Sequence, residues 1–97
     1  MYLLPLSSGG VSLEFGEDEF NAVKARLIEA AKELRRPSRL TIEQGVTLHT
    51  VMIAGERLTL SFDDGDPCMI ASTAAGEALL RAAADGPHRS AAGIAAE

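Results

Sequence analysis

Apolar and polar residues alternate through much of Val46 to Phe62 (VTLHTVMIAGERLTLSF), with a break at Ala54-Gly55. Strand side chains point to opposite faces at period two, so Leu58, Leu60 and Phe62 set against Arg57, Thr59 and Ser61 mark a strand with one buried face. The preceding strand is less regular. Val46, Leu48 and Met52 share one parity while Val51 and Ile53 share the other, a pattern that calls for a bulge or for burial on both faces. With Gly55 supplying a positive φ, the two strands form a hairpin.

Its register has two solutions. A two-residue loop opposes Val51 to Leu58 and His49 to Leu60, which turns His49 toward the core. A three-residue loop opposes Leu48 to Phe62 and Met52 to Leu58, which turns His49 outward beside Arg57, Thr59 and Ser61. The second is preferred, because an unpaired imidazole in an apolar layer costs roughly 1 to 3 kcal/mol.

Elsewhere the pattern divides the chain cleanly. Tyr2–Leu6 and Val11–Phe15 read as short strands around the Ser7-Ser8-Gly9-Gly10 turn, the first an edge because Pro5 lacks an amide donor. Phe20, Val23, Leu27, Ala30, Ala31 and Leu34 recur at helical spacing, which predicts a helix from Glu17 to Arg36. Acidic residues occupy its start and Lys32, Arg35 and Arg36 its end, each matching the helix dipole, and Pro37 stops it. Arg39–Glu43 alternates as a strand, Asp63–Pro67 (DDGDP) is a turn, and Cys68–Ala71 is an apolar run suited to a buried strand. Ser72 or Thr73 caps a second helix over Ala74–Ala84, with Gly86-Pro87 as its stop.

The expected fold is α+β in two layers, an antiparallel sheet of four to six strands with two helices packed on one face. Residues 1–86 form the domain and 87–97 a flexible tail low in bulky apolar groups. Of 45 hydrophobic residues 16 are alanine and none is tryptophan, so the core is modest and burial gained from a second copy would help.

Charge narrows the partners. A formal net charge of −5 opposes a nucleic-acid partner, since phosphate binding rests on Lys and Arg. No segment approaches the 18 to 20 apolar residues that span a bilayer, and no signal peptide is evident, so a cytoplasmic location is expected and no membrane partner. One cysteine excludes an internal disulfide, and with only His49 and His88 it builds no zinc site.

Candidate chemistry is sparse. The aspartates of the DDGDP turn lack calcium-loop spacing and serve the turn itself. Cys68 beside Met69 and Ile70 reads as a small hydrophobe rather than a nucleophile. Gly9-Gly10 is not followed by the rest of a phosphate loop. No metal or cofactor is expected. His49, Arg57 and Thr59, on one face in the preferred register, are the candidate ligand-binding residues; Val51 and Ile53 near the hairpin tip, with Glu17 and Asp18, are the candidate interaction surface. The preferred reading is a non-catalytic module that binds a protein partner through a sheet edge or acidic surface, with homodimerisation left open. The alternative is a ligand-binding or enzymatic domain around His49 and Arg57.

Overall fold

The structure is a computed structural model that describes residues 1–62 and 67–95, with side chains described for 1–62 and 67–85. The Asp63–Asp66 turn and the side chain of His88 lie outside them. Six strands form one antiparallel sheet: β1 (Tyr2–Pro5), β2 (Val11–Glu14), β3 (Thr41–Glu43), β4 (Leu48–Ile53), β5 (Glu56–Ser61) and β6 (Cys68–Ala71). Their order across the sheet is β1-β2-β6-β5-β4-β3, so β1 and β3 are the edges. Helix α1 (Phe20–Glu33) follows a short 3-10 turn, and α2 (Ala74–Ala95) closes the chain.

Both helices pack on one face of the sheet, as expected for an α+β domain, with α2 against β2, β6, β1 and β5, and α1 against α2 and β4. Val23, Leu27, Ala30 and Ala31 of α1 form the buried stripe that the sequence spacing marks. Leu13, Val51, Leu58, Leu60 and Met69 meet it from the sheet, each at most 1 % exposed. Burial of this kind contributes about 1.5 to 3 kcal/mol for each large side chain.

The central hairpin takes the two-residue loop, correcting the preferred register. Val51 stands opposite Leu58, His49 opposite Leu60 and Ile53 opposite Glu56. Ala54 and Gly55 have φ of 58° and 77°, the pair of positive angles that a type I′ turn requires. No bulge is needed: Val46 lies before β4, fully exposed, and the remaining residues alternate without interruption. Val51 and Ile53, expected outside, are core residues at 0 % and 1 % exposure.

The last strand also alternates. Met69 and Ala71 are buried beneath the helices, while Cys68 and Ile70 are half-buried on the opposite face. Thr73 caps α2: its Oγ1 accepts the Gly76 amide at 3.0 Å, and its carbonyl accepts the Glu77 amide at 2.8 Å. The helix does not end at Ala84. It continues through Gly86-Pro87 to Ala95, although an internal proline costs about 3 kcal/mol; alanine, the strongest helix former, is frequent on both sides. The tail expected from residue 87 is therefore helical in backbone as far as Ala95.

At the end of α1 the chain turns through Arg35, whose φ is 57°. The Arg36 amide bonds the Ala31 carbonyl at 2.8 Å and the Arg35 amide the Lys32 carbonyl at 3.0 Å, the two hydrogen bonds of a Schellman cap. Arg36 then reaches the hairpin tip, where its Nη2 donates to the Ala54 carbonyl at 2.6 Å and pairs with Glu56 at 3.4 Å. The basic residues at this helix end thus include a tertiary clamp as well as dipole partners. No helix among the described residues is long and apolar enough to cross a membrane.

Candidate functional site

The hairpin register separates the residues proposed as a ligand site. His49 shares the helix-covered side with Val51 and Leu60, whereas Arg57 and Thr59 alternate onto the other face, opposite Met52 and Thr50. The register therefore does not bring His49 to Arg57. His49 lies at the open end of the hairpin, half-buried, where its Nδ1 accepts the Gly45 amide at 3.2 Å. Its ring meets Phe62 edge-on at 5.8 Å between centroids. Phe62 in turn meets Phe20 at 5.6 Å, and Phe20 stacks on Phe15 at 6.1 Å, with Lys24 Nζ 4.7 Å from the centre of the Phe20 ring. His49 thus ends an aromatic row that packs the margin of the core.

No helix covers the outer face among the described residues. One row across it runs Leu4, Ser12, Ile70, Thr59, Thr50 and Glu43, set by the successive strand pairings. A second runs Tyr2, Glu14, Cys68, Ser61 and Leu48. Arg57, Met52 and Thr41 make a third toward the hairpin tip. Ser12 is buried among its neighbours and donates to Glu14 Oε2 at 2.6 Å, while Tyr2, Leu4 and Leu48 are 59 %, 43 % and 53 % exposed. The surface is thus apolar and hydroxyl-bearing, with only Glu14, Glu43 and Arg57 charged. The apolar run Cys68–Ala71, which suits a more buried strand, carries no sequence sign of its outward side; the apolar–polar alternation of Val11–Glu14 (VSLE) is the signal that marks this face.

Two shallow hollows adjoin it. Thr41, Ile42, Glu43, Thr50, Met52 and Arg57 line one of about 490 Å³. Met1, Tyr2, Glu14, Phe15, Gly16 and Glu19 line another of about 220 Å³. Neither joins a nucleophile to a base. Glu19 is held below its ordinary 4.5 first by the Gly16 amide, which it accepts at 2.7 Å, and then by the Met1 amino group at 3.3 Å. Its carboxylate is thus engaged in fixing the start of the 3-10 turn. Glu17 and Asp18, in that turn, are exposed. Among the described residues no three His, Cys, Asp or Glu side chains gather to hold a metal.

No protein-family model, no curated protein and no solved structure matches this chain.

Proposed function

We propose that this protein is a non-catalytic interaction module that binds a protein partner through the uncovered face of its sheet. One observation carries the reading: three of the six strands, β1, β4 and β6, present Tyr2, Leu4, Leu48, Met52, Cys68 and Ile70 on the side opposite both helices, with only Glu14, Glu43 and Arg57 charged on that face. Apolar groups on β1, β6 and β4, interleaved with the hydroxyls and charges of β2 and β5, make a broad mixed surface of the kind that binds a protein rather than a small-molecule pocket. A separate acidic contact through Glu17 and Asp18 is a weaker variant of the same reading, since it rests on charge alone.

The test is native capture followed by mapping. A partner retained by the wild-type chain should be lost with Met52→Glu or Ile70→Glu and kept with Glu17→Lys/Asp18→Lys, all three variants showing wild-type circular dichroism. Retention by both face variants would discard the face reading, and loss only with the acidic pair would transfer the function to the 3-10 turn.

A further inference from the structure

The two edges of the sheet differ in what their backbones offer a neighbour. In an antiparallel pair, opposed residues alternate between those that exchange both backbone hydrogen bonds and those whose N–H and C=O point away. The two-residue loop at Ala54-Gly55 makes Ile53 and Glu56 an exchanging pair, so Val51 with Leu58 and His49 with Leu60 exchange as well. Thr50 and Met52 therefore direct their backbone groups to Glu43 and Thr41, their partners in β3. The N–H and C=O of Ile42 are left directed out of the sheet.

Carried the other way, through Thr59 with Ile70 and Leu13 with Met69, the same alternation makes Leu4 and Ser12 an exchanging pair. The 3.1 Å hydrogen bond from the Leu6 amide to the Gly10 carbonyl is the next member of that series, so the two ends of the sheet agree. The outward groups of β1 then belong to Leu3 and Pro5. Pro5 has no N–H, which blunts that edge against strand pairing.

We propose that β3 is the assembly edge of this protein and that its occupant is β3 of a second copy, antiparallel and centred on Ile42. This names a partner for the edge, and it stands independently of the face reading above. Centred there, the pairing is self-complementary: each Ile42 exchanges two backbone hydrogen bonds with the other, as a two-fold axis demands. Thr41, Ile42 and Glu43 are all exposed and free to take part, Ile42 at 36 %.

Charge fits the same register. Glu43 of one copy faces Thr41 of the other, so the two glutamates are offset onto the diagonal rather than directly opposed, where like charges would be destabilising. Growth stops at two copies, because the dimer uses both β3 edges and exposes only the proline-blunted β1 edges. A dimer, and not a fibre, follows from the asymmetry of Ile42 and Pro5.

Light scattering at about 100 µM should give twice the 10.2 kDa chain mass. Ile42→Pro removes the outward donor while leaving the Thr41 and Glu43 pairings with β4 in place, and should return the mass to that of one chain with unchanged circular dichroism. Because a proline variant can fail to fold, Ile42→Cys in a Cys68→Ser background supplies a second reading. The two Cα atoms of an exchanging pair are about 5.5 Å apart, within disulfide reach, so mild oxidation should yield a covalent dimer. Met52→Glu and Ile70→Glu should stay dimeric. A single-chain mass for the wild type, a folded Ile42→Pro that remains dimeric, no cross-link at Ile42→Cys, or a dimer lost only with the face variants would each overturn the proposal.

Discussion

Arg36→Ala removes a side chain that ties three elements together, and its cost can be worked from the contacts. Arg36 sits just past α1, donates to the Ala54 carbonyl at 2.6 Å, and pairs with Glu56 at 3.4 Å. Glu56 also accepts the Thr73 hydroxyl at 2.9 Å, and Thr73 caps α2. A hydrogen bond from a charged donor contributes about 1.5 to 3 kcal/mol when well shielded. The Arg36 side chain is 39 % exposed, so the lower end applies, and the ion pair with Glu56 adds only about 0 to 1 kcal/mol.

The expected loss is therefore about 1 to 2 kcal/mol, which for a domain of this size lowers Tm by roughly 5 to 10 °C. Urea unfolding of Arg36→Ala, Glu56→Ala and the double variant separates the terms. The carbonyl bond should persist as a loss for Arg36→Ala in the Glu56→Ala background, and the coupling between the two residues should shrink in 1 M salt. An Arg36→Ala variant within 0.3 kcal/mol of the wild type, by the yardstick that contacting residues couple by about 0.5 kcal/mol or more, would refute the clamp.

Three further outcomes follow from the same structure. Arg35→Gly should stabilise by about 0.5 to 1 kcal/mol, because a side chain at φ 57° carries a steric cost that glycine avoids; Arg35→Ala, measured by the same thermal scan, should not. Leu58→Ala should cost about 3 kcal/mol in urea unfolding, since Leu58 is completely buried at the hairpin centre, while Leu48→Ala, more than half exposed, should cost under about 0.5 kcal/mol. Glu19 is depressed in the folded state by the Gly16 amide and the Met1 amino group, so its stabilisation is complete above the unfolded value near 4.5 and is lost as pH falls through the lower folded value. The stability gap between wild type and Glu19→Gln should therefore narrow on acidification through that window, and a gap that widens would give the wrong sign.

Much of the fold is legible in the sequence because amphipathic spacing is strong where it matters. The α1 stripe, the β4–β5 hairpin and the edge position of β1 follow from helical periodicity, alternation and Pro5. The register was not legible, because Ala-Gly is a poor sequence marker for a turn that needs positive φ at both positions. An unpaired imidazole in an apolar layer is costly, but His49 is not one. His49 instead lies at the margin of the core, half-buried, with the Gly45 amide on Nδ1 and Phe62 against its ring. That one-residue choice displaced the candidate site, since slipping a strand by one position exchanges its faces. The far extent of α2 was missed for a different reason: Gly86-Pro87 is a strong local stop signal, and the alanine-rich helix passes through it.

The assignment of Arg57 and Thr59 to the uncovered face, and of Val51 and Ile53 to the core, rests on the hairpin register. Nuclear Overhauser contacts between α-protons across β4 and β5 read it directly, because the non-exchanging pairs bring those protons closest. The account predicts contacts from Thr50 to Thr59 and from Met52 to Arg57. Contacts from Thr50 to Leu60 and from Met52 to Leu58 in their place would contradict it.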